Sequence, residues 1–325
     1  MGVKILGVGS YLPGKVLTNF DLEKMVDTSD EWIRTRTGIQ IRHIAADDEA
    51  TSDLVVQAAR EAIANAAIQA DDIDTIIVAT VTPDHFFPST AAIVQAALHL
   101  RAVPALDISA ACSGFIYGLI LANGLLKTST SKCVLLVGAE TLTKITDWQD
   151  RNTCVLFGDG AGAVVLKLAQ DDSDILAYDW HADGSLGELL IQPAGGTRMP
   201  ATTETVEKRL HYIKMQGREV FKHAIRCMSE SATRVLELAG VGADKLRLFI
   251  PHQANIRIIE AVRERLGLPQ DKVMVTIHKH ANVSAASIPL ALYDAVKEGK
   301  IDRGDFVLLT AFGGGFTWGS VLLRW

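Results

Sequence analysis

The sequence predicts an α/β protein, a mostly parallel sheet sandwiched between helices in a unit built twice over. Three observations carry this expectation. Short β-branched runs alternate with helical patterns along the chain. The runs are continuously apolar, as strands covered on both faces are. The order of elements in the first half also returns in the second, with a period of about 170 residues.

Taken in order, Ser52–Ala67 (SDLVVQAAREAIANAA) shows helical spacing and Ile73–Thr80 (IDTIIVAT) reads as a buried strand. The segment ALDISAACSG leads into a helix over Gly114–Thr128, opened by capping-type residues. Cys133–Gly138 (CVLLVG) and GAGAVVLKL are further buried strands. The second half holds helix Gly217–Ala239, strand Arg247–Ile250 (RLFI) and helix Ile256–Leu266. After them come VTIHKHANVS with its own helix, strand Asp305–Thr310 (DFVLLT) and the closing WGSVLLRW. Strand IDTIIVAT thus answers to RLFIPHQAN, ALDISAACSG to VTIHKHANVS, KCVLLVGAE to DFVLLTAFGGG, and GAGAVVLKL to WGSVLLRW. The division falls near Asp171–Asp174, giving an N-terminal half over 1–172 and a C-terminal half over 173–325. Pro193–Arg209 is the most loop-like stretch.

Bulk properties narrow the function. A length of 325 residues suits one large or two intimately packed domains. A net charge of -6 supplies no positive field to recruit a phosphate backbone, which argues against a nucleic-acid binder. Cys112, Cys133, Cys154 and Cys227 lie far apart with no C-x-x-C pair, so metal and redox motifs have no basis and reduced thiols fit. MGVKILGVGS lacks the charged and apolar regions of a secretory signal, and Leu6 in place of Ser or Thr rules out a myristoylation motif. No apolar stretch reaches membrane-spanning length. The expectation is a cytoplasmic protein with no membrane partner.

The chemistry gathers at strand ends. Small residues around Cys112 in SAACSG permit a tight strand–turn–helix that lifts a side chain into a crevice. A helix N-terminus there favours the reactive thiolate. A free cysteine is ordinarily a small hydrophobe, and Cys133 and Cys154, set in strand patterns, read that way. His252, in FIPHQAN, follows a strand broken at Pro251, where packing or capping is the plain alternative. Asn282, in HANVS, can equally be an N-cap for the next helix. Cys112 and Asn282 occupy matching strand-to-helix junctions of the two halves, and the Gly313–Gly315 loop follows DFVLLT. All four features sit at the carboxyl ends of strands, where ligand crevices of α/β sheets open. The glycines of Gly158–Gly162 lead into a strand and those of Gly7-Val-Gly9 lack a following helix, so neither is a dinucleotide fingerprint. His278 and His280 have no third metal ligand in view.

The motifs DISAACSGF, GDGAGAVVL, PHQANIRI, HANVSAASIP and AFGGGFTWGS, in this order, resemble the β-ketoacyl-acyl carrier protein synthase III family essentially end to end. These are the initiating condensing enzymes of type II fatty acid synthesis. The resemblance implies a thiolase-like fold, a layered α-β-α-β-α of two duplicated halves, assembled as a homodimer. It implies Cys112 as acyl carrier, His252 and Asn282 as its partners, and an oxyanion hole from the N–H groups of Cys112 and Gly314. Elongating synthases differ by using two histidines, thiolases by a second cysteine, and hydroxymethylglutaryl-CoA synthases by lacking the asparagine. No cofactor is implied, since coenzyme A enters as the substrate thioester.

By the same resemblance Trp32, Arg36 and Arg151 match positions that hold the adenine and phosphates of coenzyme A. Gly217, Phe221, Ala254 and Asn255 match positions along the pantetheine tunnel. Phe87, in DHFFP, matches the residue that crosses the dimer to floor the neighbouring acyl pocket, which predicts a small primer such as acetyl. The carrier protein is acidic, so the basic stretches Lys208–Arg226 and Arg247–Arg265 offer Lys214, Lys222, Arg257 and Arg265 as a docking face. Two other functions compete. One is a secondary-metabolite synthase or acyltransferase using the same triad with another acceptor. The other is a thioester hydrolase that releases its acyl group to water.

Overall fold

The computed structural model describes all 325 residues, Met1–Trp325. Two sheets form its frame. In the first, strands run in the order Val3–Tyr11, Asp159–Leu168, Cys133–Thr141, Thr75–Ala79 and Ala105–Ile108. In the second, the order is Leu246–Pro251, Phe306–Gly313, Thr317–Arg324 and Asp174–Ala182. Strand Thr75–Ala79 lies parallel to Cys133–Thr141, which is antiparallel to Asp159–Leu168, itself antiparallel to Val3–Tyr11. The second sheet repeats that sequence: Leu246–Pro251 parallel to Phe306–Gly313, then two antiparallel pairings through Thr317–Arg324 to Asp174–Ala182. The counterpart of the fifth strand has shrunk to one parallel bridge, Phe249 to Val273.

The repeat expected from the sequence is therefore present in the topology, but the sheets are mixed and not mostly parallel. The reason lies in the connections. Strands Phe306–Gly313 and Thr317–Arg324 are joined by only the residues between Gly313 and Thr317, whereas a parallel crossover needs a dozen or more.

Helices make the other layers. Thr51–Asn65 and Thr90–Ala97 cover the outer face of the first sheet, and the 23-residue Gly217–Ala239, with Ile256–Arg265, covers the outer face of the second. Gly114–Lys127 and Ser287–Lys297 lie between the sheets. The apolar clusters follow this five-layer arrangement. One fills the space between the two sheets, and one lies under each outer helical layer. Strand Cys133–Thr141, the middle strand of its sheet, is buried at every position, which explains its unbroken apolar run. Each fully buried Leu or Ile in such a layer adds about 1.5–3 kcal/mol of transfer free energy.

The glycine clusters rejected as nucleotide motifs have a packing origin. A Cβ on Gly9 would stand 2.2 Å from the Ala58 carbonyl oxygen of the covering helix, and one on Gly162 would stand 2.7 Å from Pro289 Cβ. Bare backbone lets helix and strand approach. Helix Gly217–Ala239 ends as its sequence suggests, at Gly240 with φ +63°. Pro193–Arg209, read as loop, contains a short helix at Thr203–Glu207, started by a hydrogen bond from the Thr205 N–H to the Thr202 hydroxyl.

Candidate active site

Strand Ala105–Ile108 passes into a one-turn segment, Ala111–Ser113, that feeds helix Gly114–Lys127. In the second half Ser284–Ala286 feeds helix Ser287–Lys297 in the same way. Both turns open on a residue in the left-handed region, Ala111 at φ +45° and Ser284 at φ +43°. For non-glycine residues that conformation stores roughly 1–3 kcal/mol, and such strain persists only where the surroundings over-determine it. By this register the counterpart of Cys112 is Ala285, and Asn282 lies three residues earlier on the same junction. Asn282 is also not a helix cap, because the helix N-cap is Ala286. Its backbone pairs instead with Leu156 and Gly158, and its Oδ1 accepts the Ser284 N–H at 2.9 Å. That bond turns the amide N–H2 of Asn282 toward a cavity.

The last hairpin is fastened to the Cys112 turn. Thr317 Oγ1 donates to the Ala110 carbonyl at 2.7 Å, and Ser113 Oγ donates to the Thr317 carbonyl at 3.0 Å. Ser113 thus spends its hydroxyl on the hairpin and does not cap its own helix, as the sequence suggested it would. Gly313 lies against the Cys112 backbone so closely that a Cβ there would be 2.5 Å from Cys112 N. A Cβ on Gly314 would meet Leu190, its carbonyl oxygen at 3.2 Å and its side chain at 3.5 Å.

Electrostatics at the site are governed by burial. The Cys112 thiol is pushed up to about 12, first by desolvation, with the Ser284 hydroxyl opposing and the Glu140 carboxylate reinforcing the rise. This runs against the expectation that the helix N-terminus leaves a ready thiolate. The resting group is a thiol. Burial likewise holds His252 down to about 3, so its imidazole is neutral. His252 Nδ1 is enclosed without a hydrogen-bond partner, and the backbone N–H of His252 is tied to Thr310 O at 2.8 Å. An enclosed nitrogen with no acceptor nearby is better left unprotonated, which puts the ring proton on Nε2.

Cys112, His252, Asn282 and Gly314 all line one cavity of about 1200 Å³. Trp32, Arg36, Gly217 and Phe221 line it too, as do Ala254 and Asn255. Arg151 stands just outside the lining, its guanidinium carbon 4.7 Å from the centre of the Trp32 ring and Nη1 donating to Asp27 O at 2.8 Å. Asn255 caps helix Ile256–Arg265 through its Oδ1, leaving its amide nitrogen for the cavity. No group of three His, Cys, Asp or Glu residues comes together to hold a metal, and His280 is engaged by Asp294 at 2.7 Å.

Comparison with known proteins places the chain in a family. The 3-oxoacyl-[acyl-carrier-protein] synthase III model matches residues 106–184, and the model of its C-terminal part matches 236–325. The β-ketoacyl-[acyl-carrier-protein] synthase III of Caldanaerobacter subterraneus subsp. tengcongensis is 55% identical over 321 residues, 99% of this chain and 97% of that protein. The chain belongs to the 3-oxoacyl-[acyl-carrier-protein] synthase III family. As a synthase III it is an acyltransferase of the condensing type with the thiolase-like fold. The crystal structure of the Aquifex aeolicus synthase III superposes with a TM-score of 0.93, at 55% identity and full coverage of both chains. The priming β-ketosynthase of the R1128 polyketide pathway superposes at 0.91 with 32% identity, covering 99% of this chain and 96% of that one.

Of the other positions expected to matter in a synthase III, some line the cavity and some do not. Phe87 is 86% exposed beside Phe86 at 84%, outside the lining. Of the four basic residues, Lys222 and Arg257 reach the cavity mouth, with Arg257 5.3 Å from the centre of the Phe221 ring. Lys214 is drawn to Asp147 at 3.4 Å, an acid already paired with Arg209. Arg265 sits at the far end of its helix beside a separate shallow depression. The sequence reading named the Gly313–Gly315 loop but singled out Gly314 in it and not Gly313, and it missed Thr317, Ser284 and Glu140. The one available signal was Glu140 itself, a carboxylate directly after the apolar run of KCVLLVGAE.

Proposed function

We propose that this synthase III joins a short acyl-CoA, acetyl above all, to malonyl-acyl carrier protein through an acyl-Cys112 intermediate. The observation that carries the reading is the single cavity with Cys112, His252 and Asn282 within it and Trp32 and Arg36 also on its wall. Cys112 Sγ attacks the thioester carbonyl, and the C–S bond to coenzyme A breaks. Backbone N–H groups of Cys112 and Gly314 receive the oxyanion, each donor contributing about 3 kcal/mol. Malonyl-acyl carrier protein then enters and loses its carboxylate as carbon dioxide. Nε2–H of neutral His252 and Nδ2–H of Asn282 donate to the enolate oxygen left on the thioester. Its C2 attacks the acyl carbonyl, the bond to Cys112 breaks, and a 3-oxoacyl carrier protein leaves. A neutral imidazole suits this role because it is a fixed donor across the physiological range. No cofactor enters the cycle.

The adenine and phosphates of coenzyme A dock on Trp32, Arg36 and Arg151, and its pantetheine passes Gly217, Phe221, Ala254 and Asn255. The guanidinium already stacked on Trp32 supports this. The carrier protein docks on Lys222 and Arg257, with Lys214 and Arg265 at the periphery. A homodimer completes the pocket. Ala105–Ile108 is an open sheet edge with Leu106 exposed, and the bare pair Phe86–Phe87 needs cover. The working division remains 1–172 and 173–325. Four free, buried thiols suit a reducing cytoplasm, and no helix is long and apolar enough to cross a membrane.

Radiolabelled acetyl-CoA, followed by malonyl-acyl carrier protein, tests the reading. Wild type should take up label, a Cys112→Ser variant should not, and the label should move into 3-oxobutyryl carrier protein. Label that binds but is never chased would favour a different acceptor, the reading suggested by the polyketide-pathway relative. Label released as free acetate would make the protein a thioester hydrolase.

A further inference from the structure

Arg42, on strand Ile41–Ile44, is fully buried, yet its hydrogen bonds go to neutral oxygens and to no carboxylate. A buried charge of this kind is costly unless directed bonds replace the water it has lost. The guanidinium reaches three separate segments. Nη1 donates to Leu17 O at 3.3 Å, Nη1 and Nη2 both donate to Asn19 Oδ1 at 3.0 Å, and Nη2 donates to Val155 O at 3.1 Å. Burial lowers the group to about 10, which leaves it charged at neutral pH.

Two of its partners lead to the cavity. Asn19 is itself anchored, since its Nδ2 donates to Asp30 Oδ1 at 2.9 Å and to Ile39 O at 2.8 Å. Those two acceptors stand at the start of helix Asp30–Thr37 and just past its end. On the other side, Val155 begins the stretch of backbone that holds Asn282. The Asn282 N–H donates to Leu156 O at 3.0 Å, and the Asn282 carbonyl accepts the Gly158 N–H at 3.1 Å. Packing there is tight. A Cβ on Gly158 would stand 3.2 Å from Arg42 Cβ and 3.1 Å from His280 O, on the turn just ahead of Asn282.

We propose that Arg42 is a positioning residue for Asn282. Its guanidinium fixes Val155 against the anchored Asn19, and the Val155–Gly158 stretch so fixed sets where the Asn282 amide stands. The proposal rests on the role given to Asn282 above, donation to the enolate oxygen. Cys112 is held by other means, the Thr317 bonds and the approach of Gly313. Arg42 therefore acts on condensation and not on acylation. An apolar side chain could fill the same volume, but it could not tie Asn19 to Val155. A lysine would keep the charge without the planar fork that reaches both oxygens.

The test separates the two half-reactions in wild type, Arg42→Met, Arg42→Lys, Asn282→Ala and Arg42→Met combined with Asn282→Ala. Acetyl transfer to Cys112 is read in single turnover at saturating acetyl-CoA. Condensation is read on enzyme already acetylated and given saturating malonyl-acyl carrier protein. Arg42→Met should slow condensation about a hundredfold, the cost of a displacement near 1 Å at reacting groups, and slow acetyl transfer by less than about threefold. Arg42→Lys should be slower in condensation alone, by about tenfold. Once Asn282 is replaced by Ala, the change at Arg42 should add nothing further. If Arg42→Met does not fold, Arg42→Lys, alone and with Asn282→Ala, carries the same comparison. Equal losses in the two half-reactions, or losses at Arg42 and Asn282 that simply multiply, would overturn the proposal. Wild type that is acetylated but forms no 3-oxobutyryl carrier protein would instead overturn the role of Asn282 on which it rests.

Discussion

Gly313→Ala should cripple the site while leaving the fold standing. The magnitude follows from one contact. A Cβ at Gly313 would lie 2.5 Å from Cys112 N and 3.1 Å from Cys112 Cβ, where ordinary contact begins at 3.4 Å. The Cys112 turn must therefore shift by about 0.9 Å, or the hairpin must peel away from it. Neither moves freely, because Thr317 is bonded to Ala110 and Ser113 to Thr317. Forced overpacking of this kind costs about 1–3 kcal/mol of stability. A displacement near 1 Å at reacting groups costs on the order of a hundredfold in rate. Gly314→Ala is the matched control, since its Cβ would meet Leu190 O at 3.2 Å and needs only a small adjustment. We expect Gly313→Ala to slow acetyl transfer to Cys112 about a hundredfold, and Gly314→Ala to slow it by less than about tenfold. Single-turnover labelling reads the rate and thermal unfolding reads the fold. Equal rates in the two variants, with both folded, would show that the approach of Gly313 to Cys112 does not set the geometry of attack.

Three further outcomes follow. The ultraviolet thiolate absorbance of Cys112, taken as wild type minus Cys112→Ser, should be absent below about pH 10, because burial pushes the thiol up to about 12; a titration centred below pH 8 refutes the buried-thiol picture. His252 is held from 6.5 down to about 3, so between those values the unfolded chain binds a proton that the folded one refuses, and stability falls as pH falls through that window. Wild type should accordingly lose about 1.4 kcal/mol per pH unit more than His252→Gln in urea unfolding between pH 6 and 4, and equal slopes would mean that His252 is not held neutral. Arg151→Ala should raise the KM for acetyl-CoA about tenfold or more with kcat little changed, through loss of a charged contact to phosphate and of the stack on Trp32. An unchanged KM removes Arg151 from the coenzyme A site.

Most of the frame was legible in the sequence because it is local. Apolar runs marked Thr75–Ala79, Cys133–Thr141, Leu246–Pro251 and Phe306–Gly313 to within a few residues, and helix Gly217–Ala239 was placed to the residue. Sheet direction was not legible, since a buried antiparallel strand such as Asp159–Leu168 has the same unbroken apolar pattern as a parallel one. At the site, residues carried by recognisable motifs came together in one cavity as expected. What escaped was relational. Nothing in AFGGGFTWGS says which glycine abuts Cys112, and nothing in HANVS says that the Ser284 N–H holds the Asn282 side chain. The thiol's protonation state escaped for the same reason: a helix N-terminus is visible in sequence, whereas the desolvation that outweighs it is made by distant chain.

The duplication explains why such a site exists. Two copies of one strand–turn–helix junction, each opened by a left-handed residue, are brought face to face between two sheets. Each junction holds its turn rigid for reasons of backbone geometry alone, so the side chains there are free to diverge. In the first copy the turn presents a thiol. In the second the residue at the same place is Ala285, which leaves room, while its neighbours supply a hydroxyl at Ser284 and, just upstream, an amide at Asn282. Symmetry in the backbone delivers the placement, and asymmetry in a few side chains delivers the chemistry. On this argument, moving the cysteine to the second junction, Cys112→Ala with Ala285→Cys, should give a folded protein that cannot be acylated. The new thiol would occupy a turn of the same shape while lacking the hairpin clamp made by Thr317 and Gly313. Acylation of that swapped variant at more than about a hundredth of the wild-type rate would show that the turn alone suffices, and that the clamp is incidental.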